Sequence, residues 1–208
     1  MNHSQCALAL LLLTGASVAT ADTIPRFEVT PYVGYRGGGN YLSSTGDADF
    51  DTTTSFGVVA NYKASFKTQW EVLYGHQETD ISDGSAEAFD NTLDLNIDYL
   101  HVGGSYVFST NKLAPFLSLT VGATRLSPNI PEIKSETYFS GSLGLGVRYD
   151  LTPNLGLRLE GRTIGIFGKT NSLVFCGTLE GESGCLFGGD GSYIPQFEVS
   201  AGLSFRFK

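Results

Sequence analysis

The chain has one methionine, three cysteines, three histidines and no apolar run long enough to cross a bilayer as a helix. Lys and Arg total 13 against 21 Asp and Glu, a net charge of −8, which argues against a nucleic-acid partner. Helical periodicity, linkers and short-motif repeats are all missing, so the chain reads as one domain without helices. Two histidines, His76 and His101, remain beyond the N-terminal leader, and neither stands in a His-x-Ser arrangement. That leaves little for hydrolytic catalysis, which needs a nucleophile, a base and an acid within reach.

Glycine and aromatics are abundant instead, with 26 Gly, 10 Tyr and 14 Phe, a composition of strands and turns. The opening MNHSQCALALLLLTGASVATAD has a short apolar stretch, Ala7 to Leu13, followed by Ala19-Thr20-Ala21. This is the pattern of a secretory signal peptide over residues 1–21, with the mature domain spanning 22–208. Cys6 precedes the apolar stretch and is not placed to accept a lipid. Cys176 and Cys185 are the cysteines left after cleavage. In an oxidising compartment they are expected to form a disulfide, since two thiols without a nearby His are too few ligands for zinc.

The last stretch, Gln196 to Phe207, sets the pattern for the rest. Phe197, Val199, Ala201, Leu203, Phe205 and Phe207 share one face, and Gln196, Glu198, Ser200, Gly202, Ser204 and Arg206 share the other. A strand alternates faces with a period of two. An apolar face that runs to the end of the chain fits the closing strand of a transmembrane barrel, whose outer surface must meet lipid. Seven earlier stretches alternate likewise: 26–36, 54–62, 68–78, 92–108, 114–126, 137–150 and 155–167. In 92–108 the apolar phase switches from Leu95, Ile97 and Tyr99 to Leu100, Val102 and Tyr106, which predicts a bulge at Asp98 to Leu100. Pro31 cannot donate to a ladder and is an irregularity in the first strand.

The connections alternate long and short, the rhythm of short periplasmic turns and long outer loops. A lipocalin-like barrel alternates too, but inside out, and loop asymmetry separates the two. Threading the strands up and down places Phe27, Tyr62, Trp70, Tyr149 and Phe207 at one rim, and Tyr35, Phe56, Phe139 and Phe197 at the other. These form two aromatic girdles, as membrane interfaces favour. Leader, strands, girdles and closing Phe together resemble the small bacterial outer-membrane β-barrels, the group of outer membrane proteins A, W and X. The resemblance implies an all-β, eight-stranded antiparallel up-and-down transmembrane β-barrel in the outer membrane of a Gram-negative cell. It implies contact with outer-membrane lipid and lipopolysaccharide, and a C-terminal signal at Phe205 and Phe207 read by the assembly machinery. Lys208 after the final aromatic is a small departure from that signal.

The same threading turns Glu28, Glu71, Arg148, Arg158, Glu160, Arg162, Glu198 and Arg206 into the lumen. An eight-stranded barrel is only wide enough inside for side chains, so these are expected to pair as a structural network filling it. A polar channel is the functional alternative. No catalytic, cofactor or metal residues are assigned. The aspartates of the first two long loops, Asp47, Asp49 and Asp51 among them, have divalent cations near lipopolysaccharide as an alternative but match no Ca²⁺ loop spacing and read as solvated charge, and the glycine runs 37–39 and 188–191 read as loop glycines. The expected role is non-enzymatic and monomeric, an envelope or surface-interaction protein acting through its outer loops. A narrow channel for small or apolar solutes and a lipid A-modifying enzyme, with His76 near the outer rim, are the alternatives.

Overall fold

The computed structural model describes residues 26–38, 41–43, 46–50, 52–83, 93–128, 135–167, 176–179, 182–185 and 193–208. The chain enters as β1 (Phe27–Gly37) and continues through a short hairpin, β2 (Tyr41–Ser43) and β3 (Gly46–Phe50). Five long strands follow: β4 (Thr53–Lys63), β5 (Thr68–Asp83), β6 (Leu93–Val107), β7 (Leu113–Pro128) and β8 (Glu136–Asp150). The chain ends with β9 (Leu155–Phe167), a second short hairpin of β10 (Cys176–Leu179) and β11 (Glu182–Cys185), and β12 (Tyr193–Phe207).

Eight strands, β1, β4 to β9 and β12, pair antiparallel with their neighbours in turn, and β12 closes on β1. The ring therefore has no free edge, as a spanning sheet requires in a medium that cannot hydrogen-bond. Crossing from Phe27 to Tyr62, Trp70, Gly104, Leu119, Leu143, Thr163 and Phe197 returns to β1 at Gly37, a stagger of 37 − 27 = 10 residues. With standard strand spacings that stagger tilts the strands by about 40°.

Alternation is strict along β1, which reads exposed, buried, exposed from Phe27 to Arg36. The outward set is apolar: Val33, Leu119, Leu145, Leu159 and Val199 are all more than half exposed. The inward set holds the charge, including Glu28, Arg36, Glu71, Arg158, Glu160, Arg162 and Glu198, all buried. This is the reverse of a soluble barrel and fits an outer surface solvated by lipid.

Two expectations are corrected. β6 has no bulge: its pairing with β5 and β7 runs without a break through Asp98, Tyr99 and Leu100. Leu95, Ile97 and Tyr99 point into the lumen, alongside Leu126, Tyr138, Ile164 and Ile166. Their apolar character suggests the outer face, but on the side formed by β6 to β9 the loop half of this lumen is itself a packed apolar cluster. The long connections 37–53 and 168–194 are also not plain loops. β3 pairs with the extension of β5, and β10 with β11. Pro31 interrupts only the ladder to β12, where no pairs form at Thr30 and Pro31. The Thr30 and Ser204 hydroxyls bridge that gap at 2.8 Å. The leader at residues 1–21, Asp51 and the glycines 188–191 lie outside the described residues.

Candidate functional site: the charged lumen

The lumen is organised in three levels. At the middle, β9 presents Arg158, Glu160 and Arg162 on successive inward positions, an order that suits a local pair but leaves an excess cation. Glu71 of β5 supplies the balance. Arg162 Nη2 donates to Glu71 Oε1 at 2.9 Å and to Glu160 Oε1 at 2.7 Å, while Arg158 Nη2 donates to Glu71 Oε2 at 3.0 Å. Arg158 Nε donates to Glu160 Oε2 at 3.0 Å, its Nη1 to Asn61 Oδ1 at 3.2 Å, and its guanidinium lies 4.2 Å from the Phe116 ring centroid. Two cations and two carboxylates thus neutralise one another, and the remaining polar atoms find amides and hydroxyls. Ser118 donates to Glu160 Oε1 at 2.9 Å, and Asn61 Nδ2 to Glu71 Oε2 at 3.1 Å. Buried charge is tolerated only when paired and hydrogen-bonded this fully. Gly144 is part of the arrangement, because a Cβ there would collide with Glu160 Oε1.

Towards the loops, Arg36 pairs with Glu198, which also accepts from Ser55 at 2.8 Å. The Arg36 guanidinium stacks 3.9 Å from the Tyr99 ring centroid and donates to Gln77 Oε1 at 3.3 Å. Towards the turns, Glu28 Oε2 accepts from Arg206 Nε at 2.7 Å and from Arg148 Nη1 at 3.4 Å, and Arg206 also pairs with Asp150. All eight charged residues assigned from the sequence therefore face inward, but they divide into three clusters rather than one network. Arg36, Asp150 and Asn61 are additions to that set, although their inward phase is readable from the alternation.

The space left at the middle level is small. The mid-barrel gap bounded by Tyr32, Leu73, Arg158 and Glu198 has a volume of about 10 Å³, room for roughly one water. Tyr32 reaches across towards β4 and β5, where Gly57 and Gly75 make room: a Cβ at either would meet its hydroxyl at 2.7 Å.

Both histidines acquire partners the sequence does not show. His101 is fully buried, with Nε2 2.7 Å from Ser140 Oγ and Nδ1 3.3 Å from Thr120 Oγ1. A His–Ser contact of this length is the geometry of an activated nucleophile. Here both residues are 0 % exposed, packed inside the lumen, and the second ring nitrogen meets a threonine rather than a carboxylate. His76 faces outward near the loop end, with Nδ1 2.8 Å from Asp98 Oδ1, which also accepts from Tyr74 at 3.0 Å. No serine hydroxyl bonds to His76 among the described residues. These also hold no group of three or more His, Cys, Asp or Glu side chains placed to bind a metal.

The girdle residues align as expected. Phe27 stands opposite both Tyr62 and Phe207, and the Phe27 and Tyr62 rings lie 5.0 Å apart. At the other rim Phe139 and Phe167 are paired, 5.9 Å between centroids. Cys176 lies opposite Cys185 in the β10–β11 register; their side chains lie outside the described residues.

A closed antiparallel ring, apolar without and charged within, is a transmembrane β-barrel with a packed lumen. The chain belongs to the family of the outer membrane protein beta-barrel domain, which it matches over residues 6–207. It is an outer-membrane protein. Among solved structures it is similar to Neisserial surface protein A, at 19% identity and a TM-score of 0.60, over 87% of this chain and 97% of that one. It is also similar to the outer membrane protein OprG from Pseudomonas aeruginosa, at 12% identity and a TM-score of 0.57, over 88% and 96% of the two chains. A major outer membrane protein from Thermus thermophilus matches at 16% identity and a TM-score of 0.54, over 89% and 100%. At these identities the likeness is one of fold. Among curated protein sequences no match is found.

Proposed function

We propose that this is a non-enzymatic envelope protein whose barrel is a closed anchor and whose long loops make its contacts at the cell surface. The observation that carries this reading is the mid-lumen gap of about 10 Å³, because a barrel filled by ion pairs offers no path and no substrate cavity at its centre. Elaboration is concentrated at one end, where β2 and β3 extend the wall and β10 and β11 form a separate hairpin. The opposite end has short turns, such as 109–112 and 151–154. In this reading the elaborated end faces outward, with lipopolysaccharide as its neighbour, and the leader at 1–21 is removed during export. Protease treatment of intact cells tests it. Cleavage is expected between residues 168 and 193, with the 109–112 turn cut only after the envelope is broken. The reverse pattern would reject the orientation.

A narrow path for small or apolar solutes is the second reading, favoured by the apolar lining of the loop half, Leu95, Ile97, Leu126, Ile164 and Ile166. It requires both this packed apolar cluster and the charged middle level to open.

A further inference from the structure

The turn end of the lumen contains a cavity of about 160 Å³, far larger than the gap at the barrel's centre. Its charge runs against that of the chain. Arg26, Lys63, Arg148 and Arg206 line it, with Glu28 and Asp150 as the carboxylates, an excess of 4 − 2 = 2 positive charges on a chain of net charge −8. The two carboxylates are engaged by Arg148 and Arg206. Arg26 and Lys63 form no ion pair among the described residues, and they stand opposite each other, Lys63 N–H donating to the Arg26 carbonyl at 2.8 Å. Like charges directly opposite across two strands repel, so the pair is costly unless an anion lies between them. Ser109 and Thr110 border the same cavity and add hydroxyl donors.

We propose that this vestibule is a binding site for a phosphate-type oxyanion, held by Arg26 and Lys63 and entered from the turn side of the membrane. Arg26 and Lys63 line one space from neighbouring strands, with the Lys63 ammonium 5.9 Å from the Phe66 ring centroid, and a guanidinium and an ammonium so placed offer the charge-assisted hydrogen bonds that a phosphate accepts. Phosphate can reach the site free in solution or as the headgroup of an anionic lipid in the adjacent leaflet. The cavity is walled in part by Phe27 and Phe66, beside which an acyl chain can pass.

The test uses the whole mature barrel in uncharged detergent at low salt. Calorimetric titration with inorganic phosphate reads the free form, and phosphorus NMR of phosphatidylglycerol in mixed micelles reads the lipid form. R26Q/K63Q is compared with K67Q/K112Q, which removes the same charge from the turn end but outside the cavity lining. Heat-modifiable migration verifies folding of both variants. Saturable binding of inorganic phosphate, weakened at least about tenfold in R26Q/K63Q and kept in K67Q/K112Q, supports the site with a soluble ligand. A bound lipid resonance that vanishes only in R26Q/K63Q, without free phosphate binding, supports it with a headgroup. Absence of both signals, or equal binding in the two variants, overturns the proposal.

Discussion

Glu71 and Arg162 stand on opposite walls of the barrel and hydrogen-bond directly, Oε1 to Nη2, at 2.9 Å. β5 and β9 are four places apart in a ring of eight, as far as two strands can be. Side chains that meet across the full width leave no lumen at that level. The same contact ties residues 91 positions apart in sequence, so it closes the barrel laterally as well as filling it.

The first prediction concerns that contact. Glu71→Ala leaves Arg162 and Arg158 short of a carboxylate in a buried setting, which costs about 3–5 kcal/mol. E71L/R162M removes the pair together and leaves Arg158 matched to Glu160, so it is expected to recover most of the loss. Urea unfolding of the detergent-refolded protein measures both. Equal destabilisation by the single and double variants would show that the pair acts through packing alone.

A second prediction tests the lipid-facing assignment. Leu145 is 63% exposed and lies near the middle of the apolar band. Leu145→Arg is expected to cost about 2–4 kcal/mol in lipid vesicles, whereas Glu78→Arg, beyond the loop-end rim, costs at most about 1 kcal/mol. Comparable costs at the two positions would contradict the placement of the membrane.

Much of the fold can be read directly, because a spanning strand must alternate and its turns must be polar. The faces of β1, β7, β8, β9 and β12 follow from their residues alone. β6 misleads because polarity is a poor marker of the inside here. A narrow barrel's interior is a packed core, and Leu95, Ile97 and Tyr99 fill it as well as charged groups do. Which strands neighbour one another follows from the up-and-down order, but which side chains meet does not, because the register between strands is not readable. Arg36 ends a strand beside a glycine run, and its partner Glu198 is 162 residues away, brought opposite only by the closure of β1 on β12.

The two cysteines give a third prediction. Their directly opposed positions on β10 and β11 favour a disulfide in an oxidising compartment. Mass spectrometry of unreduced peptides is expected to show Cys176 joined to Cys185. The bond should stabilise the hairpin by ~2–3 kcal/mol in the chain-entropy view. Cys176→Ser should leave the barrel folded and speed proteolysis between residues 168 and 193. Free thiols at both positions in protein from native membranes would defeat the expectation.

The closing strand gives a fourth. Phe207 sits opposite Phe27 at the seam, and with Phe205 it forms the expected assembly signal. Phe207→Ala should lower the amount of heat-modifiable barrel in the outer membrane and raise periplasmic degradation. Unchanged levels would remove that role from Phe207.

Planar-bilayer recording tests the closed lumen most directly. Wild-type barrel, inserted from detergent into a bilayer bathed in concentrated KCl, is expected to give no resolved conductance steps above baseline. An E71L/R162M barrel, with the cross-lumen bond replaced by apolar side chains, should remain closed as well. Steady, reproducible steps from the wild-type protein would contradict the account, because a lumen bridged by Glu71 and Arg162 has no room for a hydrated ion.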